Sequence, residues 1–311
     1  MSSPVSSRRE HFLLHAPGAA SIALQVQRAA QAEAADVLYV HGATFGAELS
    51  VFYPFDGVSW ADALTQAGWH AWGFDFVGFG ASGRYPLDAT QPAGAMGDAL
   101  QDLERVVTAI RARNGGRPLV LLAHSRGGAV AARYAGEHPG HVQALVLFAP
   151  IVARPAPDTP VRGPALPSHY PLSAWAQYRR FVEDVPRGQP QVLSEAHMQA
   201  WAERYLASDP ASATRSPPAV LTPAGPLADI AALWSGQPLY DPAKVQAPTL
   251  LVRGEWDTLC TDEDAGRLLS ALAAPIRQDV KIPRATHLMH LEQQRLQLQA
   301  TVNRFLEEVS A

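Results

Sequence analysis

Ser125 lies in "LLAHSRGG" (Leu121–Gly128), where an apolar run leads into a serine and two glycines follow. A serine hydroxyl becomes a useful nucleophile only when a base takes its proton. It must also stand clear of the backbone so that a substrate can reach it. A sharp turn from strand to helix achieves both, and crowds the backbone two residues before and two after the serine, where small residues are needed. Ala123 and Gly127 occupy those positions; the alanine methyl is a modest intrusion. The helix that starts at such a turn offers free N–H groups to negative charge. A serine that merely caps a helix is the alternative reading of these eight residues, and the rest of the chain strengthens the functional one.

Acyl transfer also needs two donors aimed at the developing oxyanion, a general base, and an acid to orient that base. His41 and Gly42 directly follow the apolar run "VLYV" (Val37–Val40). Chain leaving a strand through His-Gly can present a backbone N–H over the edge of a sheet, which makes the Ala43 and Arg126 N–H groups the expected oxyanion hole. "PTLLVRGEWD" runs off a second apolar stretch into Asp257, and "IPRATHLMHLE" runs off a third into His287. Asp257 is the expected acid and His287 the expected base. Glu255 and Asp262 compete as acids but suit solvated or helix-capping roles. His290 competes as base but suits a lid or surface contact on a following helix. His124 suits packing, and Cys260, with no base motif, a small buried apolar group.

These groups need strands that end together. Short, continuously apolar runs at Val37–Val40, Pro118–Ala123, Ala144–Pro150 and Thr249–Val252, with "HAWGF" (His70–Phe74) and "DVKI" (Asp279–Ile282), suit a sheet covered on both faces. "SIALQVQ" (Ser21–Gln27) alternates like a half-buried strand. Between the runs, Met96, Ala99, Leu100, Leu103, Val106, Val107 and Ile110 form a helical stripe, and Gly127–His138 and Leu288–Val309 read as helices. Strand alternating with helix predicts a mostly parallel α/β sheet, and open sheets of this kind build their sites at the carboxyl ends of strands. The alternation stops at Pro150. A stretch rich in Pro, Trp and Tyr follows, containing "SAWAQYRRFVEDV" and "SEAHMQAWAERYLAS". Residues 151–236 are therefore expected to form an inserted helical cap, with 1–150 and 237–311 as the core domain. Among the cap aromatics, Trp175 and Trp201 are expected to line an apolar substrate pocket. "GFGASG" (Gly78–Gly83) fits a dinucleotide fingerprint, but that motif needs a helix at once, and "RYPLDATQPAG" follows instead. A tight loop is expected.

With the "HG" turn, "DFVGFGASG", "AHSRGG", "RGEWD" and "ATHLMHLE" in that order, the sequence resembles the α/β-hydrolase superfamily over roughly 12–150 and 239–309. Ser125, Asp257 and His287 stand in the order of that superfamily. The resemblance implies an eight-stranded sheet flanked by helices, an inserted lid, a small-molecule substrate, and neither cofactor nor metal. Ala123, and Ala285-Thr286 before the histidine, depart from the commonest pattern without removing a reacting group.

Composition agrees. Of 311 residues, 47% are hydrophobic and 17% charged, enough for a sizeable core. A net charge of -4 gives no basis for nucleic-acid binding. No apolar run is long enough for a membrane span, the first residues lack the apolar run of a signal peptide, and the single cysteine cannot form an internal disulfide. A cytoplasmic location is expected. The expected reaction is hydrolysis of a carboxylic ester. Amide or N-terminal peptide, thioester and carbon–carbon hydrolysis use the same triad, and a non-catalytic ligand-binding protein of this fold is the alternative outside enzymology. An aminopeptidase would need a cap acid, such as Glu183, Asp184, Glu195 or Glu203, to hold the substrate amine.

Overall fold

The computed structural model describes residues 9–30, 35–158 and 165–310. Along them run the strands β1 (Glu10–Ala16), β2 (Ala19–Gln27), β3 (Asp36–Val40), β4 (His70–Phe74), β5 (Leu119–His124), β6 (Val142–Phe148), β7 (His169–Ser173), β8 (Ala219–Pro223), β9 (Thr249–Gly254) and β10 (Arg277–Ile282). All but β7 and β8 join one eight-stranded sheet in the order β1-β2-β4-β3-β5-β6-β9-β10. The strands from β4 to β10 in that order pair in parallel; β1 and β2 are antiparallel.

The helices are α1 (Trp60–Gln66), α2 (Met96–Arg113), α3 (Arg126–Glu137), α4 (Ala174–Val182), α5 (Glu195–Ala207), α6 (Gly225–Trp234), α7 (Asp262–Ala271) and α8 (Arg295–Ser310). The two-residue period of a strand explains why the sheet is covered on both faces. On β3 and β5, Leu38, Val40, Leu121 and Ala123 pack with Leu103 and Val106 of α2 and Ala131 and Tyr134 of α3. The alternate residues Val37, Tyr39, Val120 and Leu122 pack on the other side with Trp60 and Leu64 of α1 and Val302 and Phe305 of α8. Every residue of β3 and β5 is therefore buried.

Parallel pairing brings the carboxyl ends of β3, β5, β9 and β10 to one edge: Val40 stands opposite Ala123, and Gly254 opposite Ile282. His41 and Ser125 directly follow two of those ends, and Asp257 and His287 follow within a few residues.

Two expectations need correcting. Residues 151–236 hold more than two helices: α6 and an antiparallel β7–β8 pair accompany α4 and α5. The last helix begins at Arg295 instead of Leu288, because Glu292 folds back onto the Thr286 N–H (3.1 Å) and hydroxyl and closes a loop. His290 therefore sits in the 3-10 turn Met289–Leu291 and is buried, rather than exposed on a helix. Among the described residues no helix is long and apolar enough to cross a membrane.

Candidate active site

Ser125 occupies the turn between β5 and α3 with φ 55° and ψ −127°. A non-glycine residue with positive φ carries strain of order 1–3 kcal/mol and persists only where its surroundings over-determine it. Here they do: the Ser125 N–H donates to Phe148 O (3.2 Å), and its carbonyl accepts from Gly128 N (2.9 Å) and Ile151 N (3.1 Å). Gly127 has no room for a side chain, since a Cβ there would lie 2.7 Å from Val40 O and closer still to His41 O. Ala123, two residues before the serine, is tolerated as a fully buried strand residue.

The three residues expected to react lie within contact of one another. Ser125 Oγ is 2.9 Å from His287 Nε2, and His287 Nδ1 is 3.1 and 3.2 Å from the two oxygens of Asp257. Asp257 Oδ1 also accepts from Leu259 N (2.8 Å) and Cys260 N (3.1 Å). Burial would raise the pKa of this carboxyl. The His287 imidazole and the two N–H donors outweigh it and hold the group below the usual carboxylate range, so it is charged at neutral pH. Ser125, contrary to its expected exposure, is only 6% exposed, and His287 and Asp257 are similarly buried. The competing acids are engaged elsewhere: Glu255 accepts from Arg284 N (2.8 Å), and the exposed Asp262 pairs with Arg253 and Lys281.

His41 explains how the loop after β3 is aimed. Its Nε2 accepts from Phe76 N at 3.0 Å, which leaves Nδ1–H to donate to Gly42 O at 2.9 Å. Burial lowers its pKa to about 3, so it stays neutral. In a trans peptide the C=O and N–H point opposite ways. Holding Gly42 O against His41 thus turns the Ala43 N–H away from it. Among the described residues, neither the Ala43 nor the Arg126 N–H is taken up by a backbone carbonyl. Asp75 pins the same loop, accepting from Ala47 N (2.9 Å) and Ala81 N (3.0 Å). Gly46 and Gly80 make room for it: a Cβ at either would lie 2.8 or 2.5 Å from Asp75 Cγ. The expected tight loop at Gly78–Gly83 is present, with Gly78 at φ +93° and no helix directly after it.

Other groups shape the site; the Arg126 side chain and Gln177 carry no readable signal in the sequence. The Arg126 side chain is 1% exposed; its guanidinium pairs with Asp229 of α6 (Nε to Oδ2, 2.8 Å) and donates to Gly94 O (2.9 Å). Gln177 of α4 is buried and faces Thr44 through two 3.4 Å contacts. His124 donates from Nε2 to His287 O at 3.0 Å and stacks on Phe148. It therefore holds the backbone of the expected base as well as packing. His290 lies 4.6 Å from His124 between ring centroids, and neither of its ring nitrogens has a partner. Burial, then the neighbouring His287, lowers its pKa to about 3.

The two tryptophans depart from expectation. Trp175 is 65% exposed, stacking on Tyr178 at the surface. Trp201 is 1% exposed, donates Nε1–H to Leu49 O (2.9 Å) and packs against Phe45 and Phe181, so it has no free surface to offer a ligand. Of the cap acids, Asp184 is buried against Arg180 and the Thr258 hydroxyl, Glu183 pairs with Arg180, and Glu195 and Glu203 are exposed on α5.

Among solved structures, a laboratory-evolved variant of potato epoxide hydrolase is similar at a TM-score of 0.69 and 17% identity, covering 97% of this chain and 100% of that one. A thermophilic esterase from Thermogutta terrifontis is similar at 0.59 and 21%, covering 98% and 100%. A 2-hydroxy-6-oxo-6-phenylhexa-2,4-dienoate hydrolase from Rhodococcus is similar at 0.63 and 16%, covering 96% and 100%. These identities speak for the fold. No curated protein matches the sequence. Residues 31–294 match the serine aminopeptidase S33 family, and the chain belongs to that family, within the α/β-hydrolase superfamily.

Proposed function

We propose that the protein hydrolyses carboxylic esters through Ser125, His287 and Asp257. The observation that carries this reading is the continuous pair of contacts from Ser125 Oγ through His287 to Asp257, at 2.9 and 3.1 Å. Ser125 Oγ attacks the ester carbonyl as His287 Nε2 takes its proton. The Asp257 carboxylate orients the imidazole and stabilises the imidazolium. The Ala43 and Arg126 N–H groups hold the oxyanion, a contribution typically worth 10²–10³ in kcat per donor. Collapse expels the alcohol, which receives the proton from His287. Water, activated by the same imidazole, then attacks the acyl-enzyme and frees Ser125.

Residues 151–236 act as a lid on a core made of 1–150 and 237–311. The bonds from Gln177 to Thr44 and from Trp201 to Leu49 support this, since both reach the loop that carries Ala43. The lid is also structural, because Asp229 within it anchors the Arg126 side chain. An ester is favoured over an N-terminal peptide by the commitments of the lid acids. Asp184, the one buried among the four, is already paired with Arg180 and hydrogen-bonded by Thr258. The test is a panel of matched esters, amides and thioesters on the purified protein. Esters should give the highest kcat/KM; an amide or thioester turned over faster than its matching ester overturns the assignment.

A further inference from the structure

Helix α3 begins at the nucleophile turn and runs 12 residues, about 18 Å at 1.5 Å per residue. Its far end is therefore remote from the triad. There His138, which ends α3, and His141, which ends the 3-10 turn Pro139–His141, stack with ring centroids 5.2 Å apart and planes 14° from parallel. Glu104 of α2 faces them. Its Oε1 accepts from the Thr108 hydroxyl at 3.2 Å. Its Oε2 is buried with no hydrogen bond of normal length: the Tyr134 hydroxyl is a neighbour of the carboxylate, and His138 Nε2 lies 3.7 Å from Oε2, an ion-pair distance. One carboxylate oxygen and one nitrogen from each imidazole all lie within 4.8 Å of one another.

We propose that Glu104, His138 and His141 form a binding site for a late first-row divalent cation, with Zn²⁺ the best fit. Two imidazoles and a carboxylate suit zinc, nickel and copper, whereas magnesium and calcium take oxygen ligands. Ligands about 2.0–2.1 Å from a tetrahedral zinc stand roughly 3.3 Å apart, so the 3.7 Å edge closes with a shift of a few tenths of an ångström, and an edge at the 4.8 Å limit closes with side-chain movement of about 1.5 Å. All three residues are partly exposed, so a cation can enter and the side chains have room to converge. The Tyr134 hydroxyl lies 2.8 Å from His141 Nδ1 and fixes the orientation of that ring. The cation ties the end of α3 to α2 and takes no part in hydrolysis.

The test is calorimetric titration of tag-free, chelator-stripped full-length protein with ZnCl₂, and with MgCl₂ for contrast. One equivalent of zinc should bind at micromolar concentration and magnesium should give no heat. Glu104→Gln and His138→Gln should each weaken zinc by at least about tenfold. His197→Gln, a histidine paired with Asp56 elsewhere, should leave binding unchanged. Circular dichroism checks that the variants fold. Independently of any variant, zinc should protect His138 and His141 of the unmodified chain from diethylpyrocarbonate while His11 and His15 stay reactive. No zinc heat at micromolar concentration, unweakened zinc affinity in both site variants, or protection mapped to other histidines overturns the proposal.

Discussion

Gly127→Ala tests the packing on which the proposed oxyanion site depends. The added Cβ would stand 2.7 Å from Val40 O, 3.0 Å from His41 C and closer still to His41 O. Favourable carbon–oxygen contacts begin near 3.3 Å, and all three atoms are backbone, so no side chain can swing away. The start of α3 and the end of β3 must part by roughly 0.5–1 Å. Overpacking of this kind costs about 1–3 kcal/mol, which in a chain of this size lowers the melting temperature by several degrees. The same displacement separates the Arg126 and Ala43 N–H groups, and a misplacement near 1 Å costs about 10²-fold in rate. The assay is kcat on p-nitrophenyl acetate together with thermal unfolding. Gly97→Ala is the matched control: it lies in α2 with nothing within 4 Å of a new Cβ. Alanine there should be neutral or stabilise by up to about 1 kcal/mol. A Gly127→Ala protein that melts and turns over like the Gly97→Ala control would refute the reasoning.

Asp257→Asn should lower kcat by about 10⁴ through the wrong imidazole tautomer, while Glu255→Gln should leave it near wild type; a comparable loss at Glu255 would move the acid. Burial raises Glu292 from its usual 4.5 to about 7, so the folded chain keeps a proton that the unfolded chain releases. With a raised pKa its contribution to stability is complete below pH 4.5 and is lost as pH rises through 7, because the unfolded state then gains more from ionising. Glu292→Gln should therefore flatten the fall in unfolding free energy over that window in denaturant titrations, and an unchanged slope contradicts the role given to burial.

Much of the sheet is legible because its central strands are buried on both faces and read as short apolar runs; β4 falls on the run "HAWGF". The edge strand β1 escapes notice because "EHFLLHA" is half exposed and carries Glu and His. β7 and β8 escape because each contains proline, which a two-stranded ribbon tolerates and a central strand does not. At the site, the serine, acid and histidine each follow an apolar run, so type and position announce them together. The Arg126–Asp229 pair spans 103 residues and leaves no local pattern. The burial of Ser125 and Trp201 is likewise a tertiary property, and a tryptophan reads alike whether it lines a pocket or fills a core. His290 reads as a surface or lid contact on a helix because its burial depends on where α8 begins, which the Glu292–Thr286 contact decides.

The central claim, that Ser125 is the nucleophile activated by His287, is tested most directly by covalent labelling with a small fluorophosphonate followed by intact mass and peptide mapping. One adduct per chain should form on Ser125, disappear in Ser125→Ala, and form orders of magnitude more slowly in His287→Ala. An adduct mapped to another residue, or labelling of Ser125→Ala at the wild-type rate, would contradict it.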